Sequence, residues 1–276
     1  MAIFYFPVFL LGLTVGSFLN SVIHRLYTKE SVFVSKDGLA KSYCPHCKHK
    51  LSWQDLIPLI SFFFLNGKCR YCEKKISFQY PLIEFSTGIL FVLVFQFTAF
   101  VHHATIGNFF FTLYLLFAVS ALVVVFVYDL KHFIIPDRII YPAIVVTFVW
   151  YILSFLFLNV YSKEDLVYRA FAAFVAATSF LVIVLISKGK WMGLGDPKLA
   201  FFMGFLLGFP DIFVALFLAF FIGAIIGVGL ILLKRKTMKS EVPFGPFLVG
   251  GTVIALFFGE HMINWYLNLF LQNGAI

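Results

Sequence analysis

The chain has 276 residues, 62% of them hydrophobic and 12% charged, where soluble domains carry about 25% charged residues. That balance excludes an ordinary soluble enzyme and leaves a polytopic membrane protein. A formal net charge of +8 would suit nucleic acid, but its distribution along the chain argues for membrane orientation instead.

The first apolar stretch, 2–23, has no basic region before it and no small-residue cleavage site. It is expected to be a retained span and not a removed signal peptide. A long polar segment follows at 24–80, and the rest of the chain, 81–276, alternates apolar runs with short polar breaks. Runs at 82–101, 108–128, 139–158, 167–187, 197–209, 211–233 and 246–268 reach or approach the ~20 residues a bilayer demands. The one at 197–209 is short, and Phe209-Pro210-Asp211 reads as a tight hairpin after it. The expectation is an all-α polytopic membrane protein of about eight transmembrane helices with one small cytoplasmic insert.

Charge orients these spans. Of 21 Lys and Arg residues, 24–80 holds ten, 131–138 two, 188–198 three and 234–240 four; only Lys163 and Arg169 fall elsewhere. With alternating crossings, those four segments share one side, which the positive-inside rule makes cytoplasmic, and both termini lie outside. The excess charge then serves orientation and anionic headgroups, with no call for nucleic acid. This topology also brings two carboxylates to one membrane face. Asp129 ends the third span and Asp196 opens the sixth, two full crossings later.

Carboxylates placed so close to hydrocarbon are costly and mark functional sites. Asp196 sits in Gly193-Leu194-Gly195-Asp196-Pro197-Lys198. The glycines let backbone approach backbone or an extended substrate, and Pro197 fits a first helical turn. Asp196 as a plain N-cap is the alternative. Asp137, after Pro136, reads as a helix cap or a partner for Arg138 or Lys131, and Lys131 and Lys198 as headgroup-facing lysines. Glu84 opens the second span, where a carboxylate can simply reach the interface.

The polar segment holds Cys44-Pro45-His46-Cys47 and Cys69-Arg70-Tyr71-Cys72, a Cys-x2-Cys-x21-Cys-x2-Cys pattern. Two such knuckles supply four thiolates to one structural zinc, and a segment this short needs the metal to fold. Two disulfides are the alternative, disfavoured in a cytoplasmic segment. His46 and His49 are spare ligands or solvated residues.

Taken together, these motifs resemble the bacterial type IV prepilin leader peptidases that also act as N-methyltransferases, members of the membrane aspartyl proteases with a Gly-x-Gly-Asp motif. The resemblance begins at Gly16-Ser17-Phe18-Leu19-Asn20 and runs through both cysteine pairs and Tyr80-Pro81-Leu82-Ile83-Glu84. It continues through Asp129-Leu130-Lys131-His132 and Gly193-Leu194-Gly195-Asp196 to Pro243-Phe244-Gly245-Pro246. Tyr27 departs from the proline usual after His-Arg-Leu, at no cost to the catalytic motifs. The resemblance implies that Asp129 and Asp196 are the cleavage aspartates and Cys44, Cys47, Cys69 and Cys72 the zinc ligands. It divides the chain into a first helix (1–23), a zinc insert tied to methyl transfer (24–80) and an aspartyl protease core (81–276). It also implies an inner-membrane enzyme acting at the cytoplasmic face on type IV prepilins or pseudopilins of pilus or type II secretion systems. Cleavage falls after a glycine, between a basic leader and an apolar helix, and S-adenosylmethionine then methylates the new amino terminus. No glycine-rich nucleotide fingerprint marks that cofactor's site, for which Glu84 is the one candidate. Two other readings stand beside this one: a peptidase without methyl transfer, and a transporter that moves protons or cations over its carboxylates. The transporter reading expects internal repeats, and none is evident between the halves.

Overall fold

A computed structural model describes residues 2–31, 34–35, 38–39, 42–101, 106–158, 161–233 and 242–273. Lys36, Lys41 and the basic segment 234–240, which entered the topology argument, lie outside these residues. The elements are α1 (Ala2–Thr28), β1 (Val34–Ser35), β2 (Gly38–Leu39), α2 (Ile60–Phe64), α3 (Gln79–Val101) and α4 (Ile106–His132). They continue as α5 (Asp137–Leu153, prolonged by a π turn, Ser154–Leu158), α6 (Lys163–Ser187), α7 (Gly195–Leu207), α8 (Asp211–Leu232) and α9 (Gly245–Asn273). The two short strands pair antiparallel. The chain divides into two compact units, Met1–Val124 and Val125–Ile276, and α4 runs through the division.

Among the described residues, eight apolar helices stand where the hydropathy puts them, and seven are long and apolar enough to cross a membrane. The exception is the expected sixth, α7. Its 13 residues span only ~20 Å at 1.5 Å each, short of the ~30 Å hydrocarbon layer. Ten of the 13 are buried, so α7 is apolar all round because protein surrounds it. Hydropathy alone cannot separate that case from lipid contact.

In the first unit, α1 and α3 meet along small residues. A Cβ on Gly12 would come 2.7 Å from the Gly88 Cα, and one on Gly16 2.7 Å from the Glu84 Cα. This is the small-residue spacing that lets membrane helices approach without a hydrophobic drive. Hydroxyls within these spans return to their own helix: Thr87 Oγ1 donates to Ile83 O at 2.7 Å and Thr98 Oγ1 to Val94 O at 3.0 Å. Thr98 Oγ1 also accepts the Thr112 hydroxyl of α4 at 2.9 Å.

The second unit is built around α7, which packs against α5, α6, α8 and α9. Gly204 sets the α6 contact, since a Cβ there would lie 2.5 Å from the Ala173 Cα. Because α7 stops inside the bundle, its last carbonyls need donors. Arg169 of α6 supplies one, Nη1 donating to Leu206 O at 2.9 Å and to the Tyr151 hydroxyl at 2.8 Å. Tyr151 in turn donates to Leu206 O at 3.1 Å. The guanidinium also lies over the rings of Tyr151 and Tyr161, at 4.6 and 5.2 Å. A cation at the negative end of a helix dipole, shared with two aromatic faces, is well placed. Arg169, which by charge counting was only a leftover on the far side, is the clamp on this helix.

Candidate active site and metal centre

Asp129 lies in the last turn of α4, 5% exposed. Its Oδ2 accepts the Gly245 N–H at 3.0 Å. Gly245 opens α9, and a Cβ on it would sit 2.5 Å from that same oxygen. Only glycine lets the backbone donor reach the carboxylate, which gives Pro243-Phe244-Gly245-Pro246 a function the sequence did not reveal. Just after Asp129 the chain turns sharply: Phe133 takes φ 57° and its N–H bonds to Asp129 O at 2.9 Å.

Asp196 is the second residue of α7, 8% exposed. It is not the N-cap, which is Leu194 with no side-chain cap bond. Instead its Oδ2 reaches back to accept the Gly193 N–H at 3.2 Å. The two flanking glycines differ. A Cβ on Gly195 would lie 2.9 Å from the Ile135 Cβ, so this glycine admits α7 against the turn that follows Asp129. A Cβ on Gly193 would meet only ordinary contacts, at 3.9 and 4.0 Å. Neither glycine has positive φ, so close approach at Gly195, and not unusual dihedrals, explains the motif.

The structure thus brings the two aspartates into one neighbourhood, walled by Ile135 and the start of α9. Burial first, and then the Asp129 carboxylate, push the Asp196 carboxyl up to about 7. Burial and a nearby like charge both disfavour the ionised form. Asp137 stays apart. It is the first residue of α5, capped by Pro136, and binds Lys198 at 2.6 Å, with Lys198 Nζ 5.0 Å from the centre of the Tyr141 ring. Its partner is therefore neither Arg138 nor Lys131, and Lys198 is not a free headgroup lysine. This bridge ties the start of α5 to the start of α7.

In the first unit, the four cysteine Sγ atoms lie within 4.8 Å of one another, with Cys44 and Cys72 at 3.9 Å. A tetrahedral zinc with ~2.3 Å bonds to sulfur requires edges of ~3.8 Å, whereas disulfide sulfurs are ~2.05 Å apart. The donor set fits zinc. The two knuckles are copies of each other. Lys48 N–H bonds to Cys44 O and Glu73 N–H to Cys69 O, each at 2.9 Å, and Lys48 and Glu73 both have positive φ. Bridges Tyr43–Lys50 and Lys68–Lys75 close them alike. The matching runs Cys-x-x-Cys-Lys-His-Lys and Cys-x-x-Cys-Glu-Lys-Lys carry that duplication in the sequence. His49 stacks on Tyr71 with ring centroids 3.7 Å apart. Asp55 holds Ser52, Arg70 and Tyr71, with Arg70 Nε at 2.8 Å.

Glu84 is buried by protein, 6% exposed. Its Oε2 accepts the Leu59 N–H at 2.8 Å, and Ser17 also bonds it. It thereby ties the loop before α2 to α3.

Comparison with known proteins bears on these sites. Residues 10–98 match the bacterial peptidase A24 N-terminal domain, and residues 116–228 match the type IV leader peptidase family. A prepilin leader peptidase/N-methyltransferase of Aeromonas hydrophila is 33% identical over 290 residues, 98% of this chain and 96% of that protein. Proteins of the same name from Legionella pneumophila and Bacillus subtilis are 31% and 30% identical, over 97% and 95% of this chain and 96% and 98% of theirs. No solved structure gives a significant match.

Proposed function

Because this multi-pass membrane chain belongs to the type IV leader peptidase family, we propose that it cleaves the leader from type IV prepilins or pseudopilins with Asp129 and Asp196, then methylates the new amino terminus. The observation that carries this reading is the site in the second unit, where two buried carboxyls each accept one backbone N–H and the charge of one acts on the other. Family membership displaces the transporter alternative.

The chemistry follows from a pair that holds one proton. The ionised aspartate takes a proton from water as its oxygen attacks the scissile carbonyl carbon. The protonated aspartate gives its proton to the carbonyl oxygen. As the gem-diol intermediate collapses, the C–N bond breaks, the leaving amine takes the proton the first aspartate acquired, and one gem-diol hydroxyl returns its proton to the second aspartate, giving the free acid and restoring the pair. Gly245 and Gly193 fix the two carboxyls, and so lower the reorganisation the step demands.

The charge asymmetry supports a cytoplasmic face for this pair, and the family resemblance implies the bacterial inner membrane, where the basic leader of such a substrate would lie on that same face. The four cysteines would hold a structural zinc that folds the insert. S-adenosylmethionine, when bound, supplies an electrophilic methyl group. Among the described residues Glu84 is a buried carboxylate that no ion pair reaches, which suits a cationic donor or an amine.

Co-expression with a prepilin, with leader removal and amino-terminal mass read by mass spectrometry, tests the reading. Wild type is expected to give trimmed and methylated pilin, and Asp129→Asn and Asp196→Asn neither. Cleavage by both variants would rule out the aspartyl mechanism.

A further inference from the structure

Outside the aspartate site, the first unit buries a second group of polar atoms on the α1–α3 seam. Asn20 is 3% exposed. Its Nδ2 donates to Gly16 O at 3.3 Å and to Tyr80 O at 3.2 Å. Two carbonyl partners fix which way the amide points, so its Oδ1 faces away from them, buried and without a partner. Ser17, three residues earlier on α1, bonds Glu84, and Tyr80 lies one helical turn before Glu84 on α3. Asn20 and Glu84 therefore occupy adjoining turns of one seam. His24, the next turn of α1, also buries an unpartnered Nε2. Its ring stands edge-on to Tyr43, 6.0 Å between centroids, beside the zinc ligand Cys44.

Glu84 meets only neutral donors, Leu59 N–H and Ser17, and no ion pair reaches it among the described residues. A buried carboxylate without a countercharge is expensive, and so is a buried amide oxygen without a donor. Water would satisfy the amide but not the charge. A group that answers both carries a positive charge and several N–H donors, as an –NH₃⁺ does.

We infer that Glu84 and Asn20 form a receptor for a primary ammonium group, Glu84 supplying the charge and Asn20 Oδ1 a second acceptor. This rests on the methyl-transfer reading for the identity of the ligand. Two participants in that reaction carry such a group: the amino terminus exposed by cleavage, and the amino-acid end of the methyl donor.

The test uses the full zinc-loaded chain in lipid nanodiscs and measures binding of two probe pairs. One pair is a peptide of the mature pilin start with a free or an acetylated amino terminus. The other is S-adenosylhomocysteine and its N-acetyl derivative. Wild type is expected to bind the free-amine member of one pair at least ~10-fold tighter than the acetylated one, as loss of a charge-assisted bond implies. The pair that discriminates identifies the source of the ammonium. Glu84→Gln should abolish the preference and Asn20→Ser should weaken it. Equal binding within both pairs, or an undiminished preference in Glu84→Gln, overturns the inference. Should Glu84→Gln lose its zinc or its monodispersity, an undiminished preference in both Asn20→Ser and Ser17→Ala has the same force. Methylation by wild type is followed in parallel. Its absence with the amine preference intact sinks the methyl-transfer reading and leaves the receptor standing, while methylation without any preference does the reverse.

Discussion

The two units use buried carboxyl groups in opposite ways. In the second unit two of them lie near enough for the charge of one to act on the other, each held by a single backbone N–H. In the first unit Glu84 stands without another acid and takes a backbone N–H and a serine hydroxyl. A pair of acids makes a group that gives and takes protons near neutral pH, whereas a solitary buried acid among neutral donors carries a charge at a cost that a cationic partner would offset. Both settings are buried, and what differs between them is the company each carboxyl keeps.

Removing either member of the pair is the harshest break of that contrast. Asp129→Asn or Asp196→Asn should lower cleavage by at least ~10³-fold, the scale of general acid–base catalysis, with zinc content unchanged, as read by leader removal and metal analysis. Residual cleavage within tenfold of wild type would mean the two acids do not work together.

Geometry around the pair gives the next largest effect. Gly245→Ala drives a methyl group into the Asp129 carboxylate and should reduce cleavage ~100-fold, because small displacements at a reacting centre are that costly. Gly195→Ala presses on Ile135 and should cost less, and Gly193→Ala, which meets only ordinary contacts, least of all. Initial rates of prepilin trimming check the order, and a Gly193→Ala loss as large as that of Gly245→Ala would refute it.

Acidity sharpens the comparison further. With the Asp196 carboxyl raised to about 7, the shared proton is present below that pH and lost above it. Turnover at saturating substrate should therefore fall by up to ~10-fold per pH unit on the alkaline side, with a midpoint near 7. A cleavage profile flat from pH 6 to 9 would remove the shared proton from the mechanism.

The smallest effect on cleavage belongs to the metal. Cys44→Ser or a strong chelator should unfold the insert, since a zinc held by the four cysteines would supply its folding energy. Methylation should drop more than ~10-fold and cleavage less than ~3-fold, both read from one mass spectrum. Equal losses would mean that the two activities cannot be separated by unit.

Much of this was legible in the sequence. Span lengths, the basic-residue asymmetry and the two aspartates emerging at one face all follow from hydropathy and charge. The four-cysteine cluster follows from spacing. What escaped depends on contacts across long separations. Gly245 lies 116 residues from the carboxylate it serves, and no local pattern announces that. Asp137 was read against its sequence neighbours, but its partner is Lys198, 61 residues away. The glycines of the Gly-Leu-Gly-Asp stretch looked equivalent, and only packing against Ile135 sets Gly195 apart. The knuckle duplication was written in the sequence and needed only an alignment of the chain with itself.

The clamp on α7 has a mechanical consequence. Gly204 against Ala173 and Leu206 under Arg169 fix one end of this helix, while Asp196 rides on the other. From 196 to 206 the helix is a lever arm of ~15 Å, so shifting the Asp196 carboxyl by ~1 Å takes a tilt of only ~4°. Gly195 against Ile135 and the Lys198–Asp137 bridge hold that other end, so the two anchorages together keep the rod within the few degrees of tilt that would displace the carboxyl.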